Sequence, residues 1–175
     1  MRKILVVIDM QKDFIDGALG TKEAEAIVDA VVEKIKSYPA EDVYATMDTH
    51  GEDYLRTEEG QNLPVVHCVK DTDGWKMDQR IEGLILENHI IEKPTFGSVA
   101  LGELMYLEND REEIEVELVG LCTDICVVSN ALLVKAFVPH AHVKVDASCC
   151  AGVTPKKHNA ALETMRSCHI EVCGV

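Results

Sequence analysis

Four side chains capable of acid–base or nucleophilic chemistry stand at or just after the ends of short apolar segments: Asp9, Asp48, Lys93 and Cys126. If these segments are parallel strands of one α/β sheet, their carboxyl ends share the edge where such folds bind ligands. Two carboxylates, an amine and a thiol would then form one cluster, which suits covalent catalysis by an activated thiol. Each residue alone is weaker, because a strand-end Asp is often a helix cap and a lone Cys is usually buried in a core.

The thiol of Cys126 follows a good helix start signal. Thr123 or Asp124 is a suitable N-cap for the apolar helix that follows, which would place Cys126 in its first turn. Unpaired backbone N–H groups and the helix dipole at that end favour an anion, so we expect the pKa of this thiol to be lowered. The alternative is a packed, inert Cys at the start of the helix, and this segment leaves both interpretations open.

A second group of residues has the side chains that bind divalent metals. Asp48 and His50 are two positions apart at a predicted strand end, and His67 lies in a neighbouring apolar segment. An Asp/His/His set with open positions suits a metal that also holds water or substrate. Glu58 and Glu59 in the intervening loop are candidates for an additional carboxylate ligand. The alternative is one buried, hydrogen-bonded His and two ordinary loop residues, since Asp-x-His is a short and common pattern.

Hydrophobic patterning predicts the elements that would position these residues. Apolar segments predict strands at residues 3–9, 42–48, 89–93, 113–120, 142–147 and 169–174. Helical periodicity or start signals predict helices at 22–37, 75–86, 98–107, 123–138 and 154–168. Residues 49–64 are polar and aperiodic, which predicts a long functional loop, and 64–69 are a short apolar segment. The alternation predicts a three-layer α/β/α fold, with helices on both faces of a mainly parallel, six-stranded sheet, in one domain spanning residues 1–175.

Charge and cysteine content exclude several function classes. The chain has 17 Lys and Arg against 31 Asp and Glu, a formal net charge of −14, which argues against nucleic-acid or membrane partners. No apolar run approaches the roughly 18 residues of a membrane span. The N-terminal apolar run ends at Asp9, too early for a signal peptide. The seven cysteines are odd in number, so we expect reduced thiols in a cytoplasmic protein.

Five segments in order along most of the chain resemble the isochorismatase-like cysteine hydrolases, and among them most closely the nicotinamidases: VVIDMQKDF (6–14), ATMDTH (45–50), VVHCV (65–69), IIEKPTFGS (90–98) and LVGLCTDICV (118–127). The last segment is the most specific, because it is similar to the family's nucleophile motif. An Asp and a Lys precede it in the family's order, which favours the catalytic interpretation of Cys126.

The resemblance implies roles for particular residues. Asp9, Lys93 and Cys126 match the catalytic triad, and a cis peptide bond is implied between Leu121 and Cys122. The backbone N–H groups of Cys122 and Cys126 would then form the oxyanion hole. The implied metal ligands are Asp48, His50 and His67, with Glu59 as a further candidate. The implied ion is a divalent metal, Zn²⁺ first, with Mn²⁺ or Fe²⁺ as alternatives.

The resemblance implies an enzyme that hydrolyses a small planar amide, nicotinamide first, to the acid and ammonia through a Cys thioester. Phe14, Trp75 and Phe96 lie near the motifs and could flank a planar ring, although ordinary packing explains them about as well. Gly51 stands where many nicotinamidases have proline, which leaves the substrate pocket less defined than the triad. The alternatives are a related hydrolase of another amide or of a vinyl ether such as isochorismate, and a non-catalytic thiol redox sensor. Isochorismatase lacks the metal site. The resemblance also implies that the chain can form homo-oligomers.

Overall fold

The computed structural model describes residues 1–175, which form one six-stranded sheet with every neighbouring pair of strands parallel. The strand order is β3-β2-β1-β4-β5-β6. The strands are β1 (Arg2–Ile8), β2 (Val43–Asp48), β3 (Ile90–Lys93), β4 (Ile114–Leu121), β5 (His142–Ala151) and β6 (Glu171–Cys173). The helices are α1 (Lys12–Ile15), α2 (Lys22–Lys36), α3 (Glu58–Asn62), α4 (Val99–Arg111), α5 (Val128–Phe137) and α6 (Pro155–Ser167).

Two apolar cores cover the two faces of the sheet. Alternate side chains of the central strand β1 point to opposite faces, so Ile4 and Val6 join one core while Leu5 and Val7 join the other. The first core contains α4, α5 and α6, and the second contains α1 and α2. This arrangement confirms the predicted three-layer α/β/α fold with a parallel sheet. No helix has the combined length and apolar character that a bilayer span requires.

The predicted helix at residues 75–86 is wrong, because this segment consists of turns without a helix. Met77, Ile81 and Ile85 do have helical spacing and are buried in the second core. However, Asp78 N donates to Met10 O at 3.0 Å, and Gly83 adopts a left-handed φ of +80°. The apolar spacing therefore reflects burial of successive turns in the second core rather than helical periodicity.

The interval 49–64 is also more ordered than predicted. It contains a 3₁₀ turn at Tyr54–Arg56 and the short helix α3. Thr57 caps α3, since its hydroxyl accepts a hydrogen bond from Gly60 N at 3.0 Å. An N-cap Thr followed by two Glu in the first turn was the available signal for this helix. The segment 64–69 has no regular secondary structure apart from a single parallel bridge between His50 and Val69, and Cys68 within it has a left-handed φ of +45°.

Candidate active site

The strand order brings the predicted reactive side chains to one edge of the sheet. β1 lies between β2 and β4, and β2 pairs with β3 so that Asp48 and Lys93 are register partners. Asp9 follows β1, and Cys126 lies in the turn that follows β4. The four residues therefore converge from four neighbouring strands, as the sequence pattern predicted.

The ammonium of Lys93 lies between the carboxylate of Asp9 and the thiol of Cys126. Its Nζ is 2.7 Å from Asp9 Oδ2 and donates to Cys126 Sγ at 3.4 Å. It also donates to Thr95 O at 3.1 Å and lies 3.4 Å from Asp48 Oδ1. Relative exposures are 0% for Asp9, 1% for Lys93 and 4% for Cys126. Burial of this kind strengthens the electrostatic interaction among the three groups.

The backbone and its neighbours orient the Asp9 side chain. Asp9 has a φ of +47°, a left-handed conformation that is uncommon for a non-glycine residue and concentrated at functional sites. Its N–H donates to Thr46 O at 3.2 Å, and the Thr46 hydroxyl donates to Oδ1 at 2.7 Å. These contacts hold one carboxylate oxygen and leave Oδ2 facing the ammonium.

Burial and charge shift the ionisation of all three groups. Desolvation raises the pKa of Asp9, although the positive charge of Lys93 opposes this. Burial alone would lower the pKa of Lys93, but the charges of Asp9, Cys126 and Asp48 raise it above its usual range. Burial, followed by the Asp9 charge, raises the pKa of Cys126. The resting thiol is therefore protonated, next to an unusually basic carboxylate.

The setting of Cys126 differs from the sequence prediction in two respects. A single π-type turn, Thr123–Val127, precedes α5, so Cys126 lies in this turn and not in the first turn of an α-helix. The expected lowering of its pKa is wrong, because burial of the thiol, followed by the charge of Asp9, raises the pKa instead. The peptide bond between Leu121 and Cys122 is cis, which confirms the implied geometry. Cys122 and Cys126 both line the adjacent cavity, and the oxyanion role of their N–H groups stays a prediction.

The four candidate metal ligands also lie together. Potential ligand atoms of Asp48, His50, Glu59 and His67 all lie within 4.8 Å of one another. His50 Nε2 is 3.0 Å from Asp48 Oδ2 and 3.6 Å from Glu59 Oε1, while His67 Nε2 is 3.5 and 3.6 Å from the same two atoms. Tetrahedral ligands about 2.1 Å from a zinc ion are separated by about 3.4 Å. The donor types and their spacing therefore fit a divalent metal.

Hydrogen bonds outside this group hold its members in place. His67 Nδ1 donates to Val65 O at 2.7 Å, which turns Nε2 toward the other ligands, as outer contacts of metal-binding His commonly do. The Gln11 amide is fully buried and holds the backbone of Asp48, donating to its O at 2.8 Å and accepting from its N at 2.7 Å. Asp13 Oδ2 accepts from Cys68 N at 2.8 Å, next to His67. Gln11 and Asp13 were missed as positioning residues, although both lie in the 6–14 motif.

Proximity also shifts the ionisation of the possible ligands. Burial alone would raise the pKa of Asp48, but hydrogen bonds from His50 and His67 and the charge of Lys93 lower it below its usual range. Desolvation, together with the Asp48 charge, raises the pKa of Glu59. Burial opposes the charged form of His67, yet its hydrogen bond to Asp48 raises its pKa. The ionisation of Asp48, Glu59 and His67 is therefore linked, because the charge of Asp48 acts on the other two side chains.

A cavity of about 760 Å³ opens onto the thiol of the triad and onto the candidate metal ligands. Cys126, Cys122, Asp48, His50, Glu59 and His67 line it. Phe14 and Phe96 contribute aromatic walls, and Phe96 is 45% exposed. Trp75 does not line this cavity: its indole Nε1 donates to the Thr49 hydroxyl at 2.9 Å, and its ring packs against the second core. Of the three predicted aromatic residues, two therefore lie where a planar ligand could contact them.

Comparison with known proteins gives relatives of matching length and fold. A curated relative described as an uncharacterized isochorismatase family protein PncA, from Bacillus subtilis, is 29% identical over 143 residues, 75% of this chain and 78% of the relative. The crystal structure of pyrazinamidase of Pyrococcus horikoshii in complex with zinc has 26% identity and a TM-score of 0.79, with 100% of each chain covered. The nicotinamidase/pyrazinamidase PncA from Bacillus subtilis has 26% identity and a TM-score of 0.81, covering 99% of this chain and 100% of that chain.

The family model of the isochorismatase domain matches residues 3–175 of this chain. That range includes all five motifs and every element from β1 to β6 except Arg2, the first residue of β1. The chain therefore belongs to the isochorismatase family.

Proposed function

We propose that this protein hydrolyses a small planar carboxamide, with nicotinamide as the first candidate, to the carboxylic acid and ammonia. The observation that carries the proposal is the position of Lys93 Nζ, 2.7 Å from Asp9 Oδ2 and 3.4 Å from Cys126 Sγ. A base, a cation and a thiol in contact within a buried site form an activated nucleophile. The similarity to a nicotinamidase and a pyrazinamidase at 26% identity supports an amide substrate.

The first step transfers the thiol proton of Cys126 to Asp9. The raised pKa of Asp9 favours its taking a proton, while that of Cys126 keeps the resting thiol neutral until substrate arrives. Lys93 remains charged throughout, so it stabilises the negative charge whether this charge lies on Asp9 or on sulfur. The proton transfer therefore needs no compensating charge from solvent.

The thiolate then attacks the carboxamide carbon, and the carbonyl electron pair moves to oxygen. The N–H groups of Cys122 and Cys126 are the proposed donors to this oxyanion, and loss of one such donor typically costs about 3 kcal/mol. When the intermediate collapses, the C–N bond breaks and Asp9 returns its proton to the leaving nitrogen, which departs as ammonia. Asp9 next takes a proton from water as that water attacks the thioester carbon; the C–S bond breaks, and Asp9 passes this proton to the departing sulfur, which releases the acid and restores the Cys126 thiol.

We propose that Asp48, His50, Glu59 and His67 hold a divalent metal, with Zn²⁺ as the first candidate and Mn²⁺ or Fe²⁺ as alternatives. The relative from Pyrococcus horikoshii was crystallised in complex with zinc. When bound, such an ion supplies Lewis-acid chemistry and a fixed point for substrate orientation. Because Asp48 Oδ1 also lies 3.4 Å from Lys93 Nζ, the carboxylate links the metal ligands to the catalytic triad.

The cavity supports a small aromatic substrate. Phe14 and Phe96 line it together with aliphatic side chains, which favours a flat and partly apolar ring near Cys126. We propose that the enzyme acts on free small molecules in the cytoplasm, with no nucleic-acid or membrane partner, and that it can form homo-oligomers. Nicotinamide as substrate would place it in NAD salvage.

The test is ammonia release from purified protein incubated with nicotinamide and a panel of small amides. Cys126→Ala should abolish ammonia release while the protein stays folded. Cys149→Ala is the matched control, because Cys149 is also a buried free thiol but does not line the cavity. Amide hydrolysis that survives in Cys126→Ala rejects the mechanism.

The same preparation separates the alternatives. Isochorismate belongs in the panel, and its hydrolysis in place of every amide would reassign the substrate to a vinyl ether. The four-residue ligand group disfavours that outcome, because isochorismatase lacks the metal site. Site-resolved iodoacetamide labelling tests the redox-sensor alternative: selective reaction at Cys126 supports catalysis, whereas a reversible pair such as Cys149 and Cys150 would indicate a sensor.

A further inference from the structure

Asn130 is a fully buried polar residue that joins two parts of the candidate active site. It lies on α5, one helical turn after Cys126, with a relative exposure of 0%. Its amide Nδ2 donates to Cys126 O at 2.8 Å and to Phe96 O at 3.0 Å, and its Oδ1 accepts from Ser98 N at 2.9 Å. Both of its donor hydrogens and one acceptor site are therefore used by backbone groups.

The segment that Asn130 holds is the one that supports the catalytic lysine. Residues 94–98 connect Lys93 to α4, and Thr95 O accepts a hydrogen bond from Lys93 Nζ at 3.1 Å. Ser98 begins α4 as its N-cap, because its hydroxyl accepts from Leu101 N at 3.1 Å. One end of the segment thus bears the ammonium, and Asn130 fixes the other end.

We propose that Asn130 is a positioning residue that sets the distance between the Lys93 segment and the Cys126 turn. The inference rests on the proposed role of Cys126 as nucleophile. One rigid amide spans the two backbones, so Cys126 and the Lys93 segment cannot shift relative to each other without breaking a buried hydrogen bond. A buried donor or acceptor that loses its partner carries its full desolvation cost. The Phe96 carbonyl is held by the same amide, so the aromatic wall of the cavity is tied to the nucleophile turn.

The test compares Asn130→Leu, which keeps the size but removes all three hydrogen bonds, with Val134→Ala. Val134 lies one turn further along α5, is also fully buried, and does not line the cavity. Its truncation controls for general loss of stability. The measurements are the denaturant midpoint, kcat and KM, and the rate of Cys126 alkylation by iodoacetamide between pH 6 and 9, resolved by mass spectrometry.

We expect Asn130→Leu to lower kcat at least tenfold and to shift the pH profile of Cys126 alkylation. Val134→Ala should lose as much stability or more, yet keep kcat and the alkylation rate at each pH within twofold of wild type. If Asn130→Leu behaves as Val134→Ala does in both readouts, the residue is structural only and the inference is overturned. If the Leu variant does not fold, Asn130→Thr, which replaces the amide by a single hydroxyl, is judged by the same criteria. The alkylation readout needs no substrate, so it decides the inference even if the wild-type protein hydrolyses no amide.

Discussion

Lys93 is the residue whose removal tests the site most sharply. In the reactive state one negative charge is shared between Asp9 and Cys126, and Lys93 Nζ lies 2.7 Å from the first and 3.4 Å from the second. At the longer distance, with an effective dielectric constant of about 20, the attraction is about 5 kcal/mol. Lys93→Met removes this attraction while keeping an unbranched side chain of similar length. Both Asp9 and Cys126 should then hold their protons at neutral pH.

The expected consequence is a loss of about three orders of magnitude in kcat for ammonia release, because about 1.4 kcal/mol corresponds to tenfold in rate. The pH dependence has a defined sign. In Lys93→Met, the Asp9 and Cys126 pair must lose a proton to solvent before attack, so the residual rate should rise about tenfold per pH unit between pH 7 and 9. The wild-type rate should be nearly constant over that range, since its pair already carries the single charge.

The assay measures ammonia release and Cys126 alkylation in Lys93→Met, with Lys36→Met as the control. Lys36 pairs with Glu33 on an exposed helix surface, so its replacement removes the same charge far from the site. Circular dichroism and a denaturant titration establish that each variant is folded. A Lys93→Met enzyme that keeps kcat within tenfold of wild type, with a flat pH profile, would refute the assignment of Lys93 as the charge that activates the thiol.

Three further predictions follow from the metal ligands, the cavity wall and a surface ion pair. His67→Ala should lower zinc affinity at least tenfold by calorimetry, and chelation of the wild-type enzyme should abolish an activity that Zn²⁺ restores; full activity in the stripped enzyme would remove these residues from the ligand role. Phe96→Ala should raise KM for nicotinamide several-fold by loss of ring contact, whereas Trp75→Phe, outside the cavity, should leave KM unchanged; equal effects would contradict the assigned wall. The hydrogen bond to the Glu115 carboxylate raises the pKa of His142. This ion pair therefore stabilises the folded protein below the ordinary His pKa of about 6.5, and the stabilisation is lost as pH rises through the raised pKa of His142. The urea midpoint should therefore fall between pH 6 and 9 by more in wild type than in His142→Asn, and parallel curves would contradict this.

The strands and the reactive residues were accessible from the sequence because they depend on local pattern. Buried parallel strands are continuous apolar runs, and their ends in this fold are also the ligand edge, so Asp9, Asp48 and Lys93 could be placed before any coordinates. The segment 75–86 could not be assigned correctly, because spacing of buried residues on consecutive turns is the same as on a helix. The predicted direction of the shift in the pKa of Cys126 was also wrong, since the degree of burial depends on tertiary packing that local pattern does not reveal.

Charge balance connects the triad to the metal ligands. The carboxylates of Asp9 and Asp48 both lie within 3.4 Å of a single buried ammonium, that of Lys93, and Glu59 lies beside Asp48, so the fully ionised site carries an excess of negative charge. Burial makes such an excess costly, and desolvation, followed by the charge of Asp48, raises the pKa of Glu59. A divalent cation held by Asp48 and Glu59 would remove the excess and leave Lys93 to serve Asp9 and Cys126. The metal-ligand group and the catalytic triad therefore share one carboxylate, since Asp48 contacts Lys93 and would also contact a bound metal.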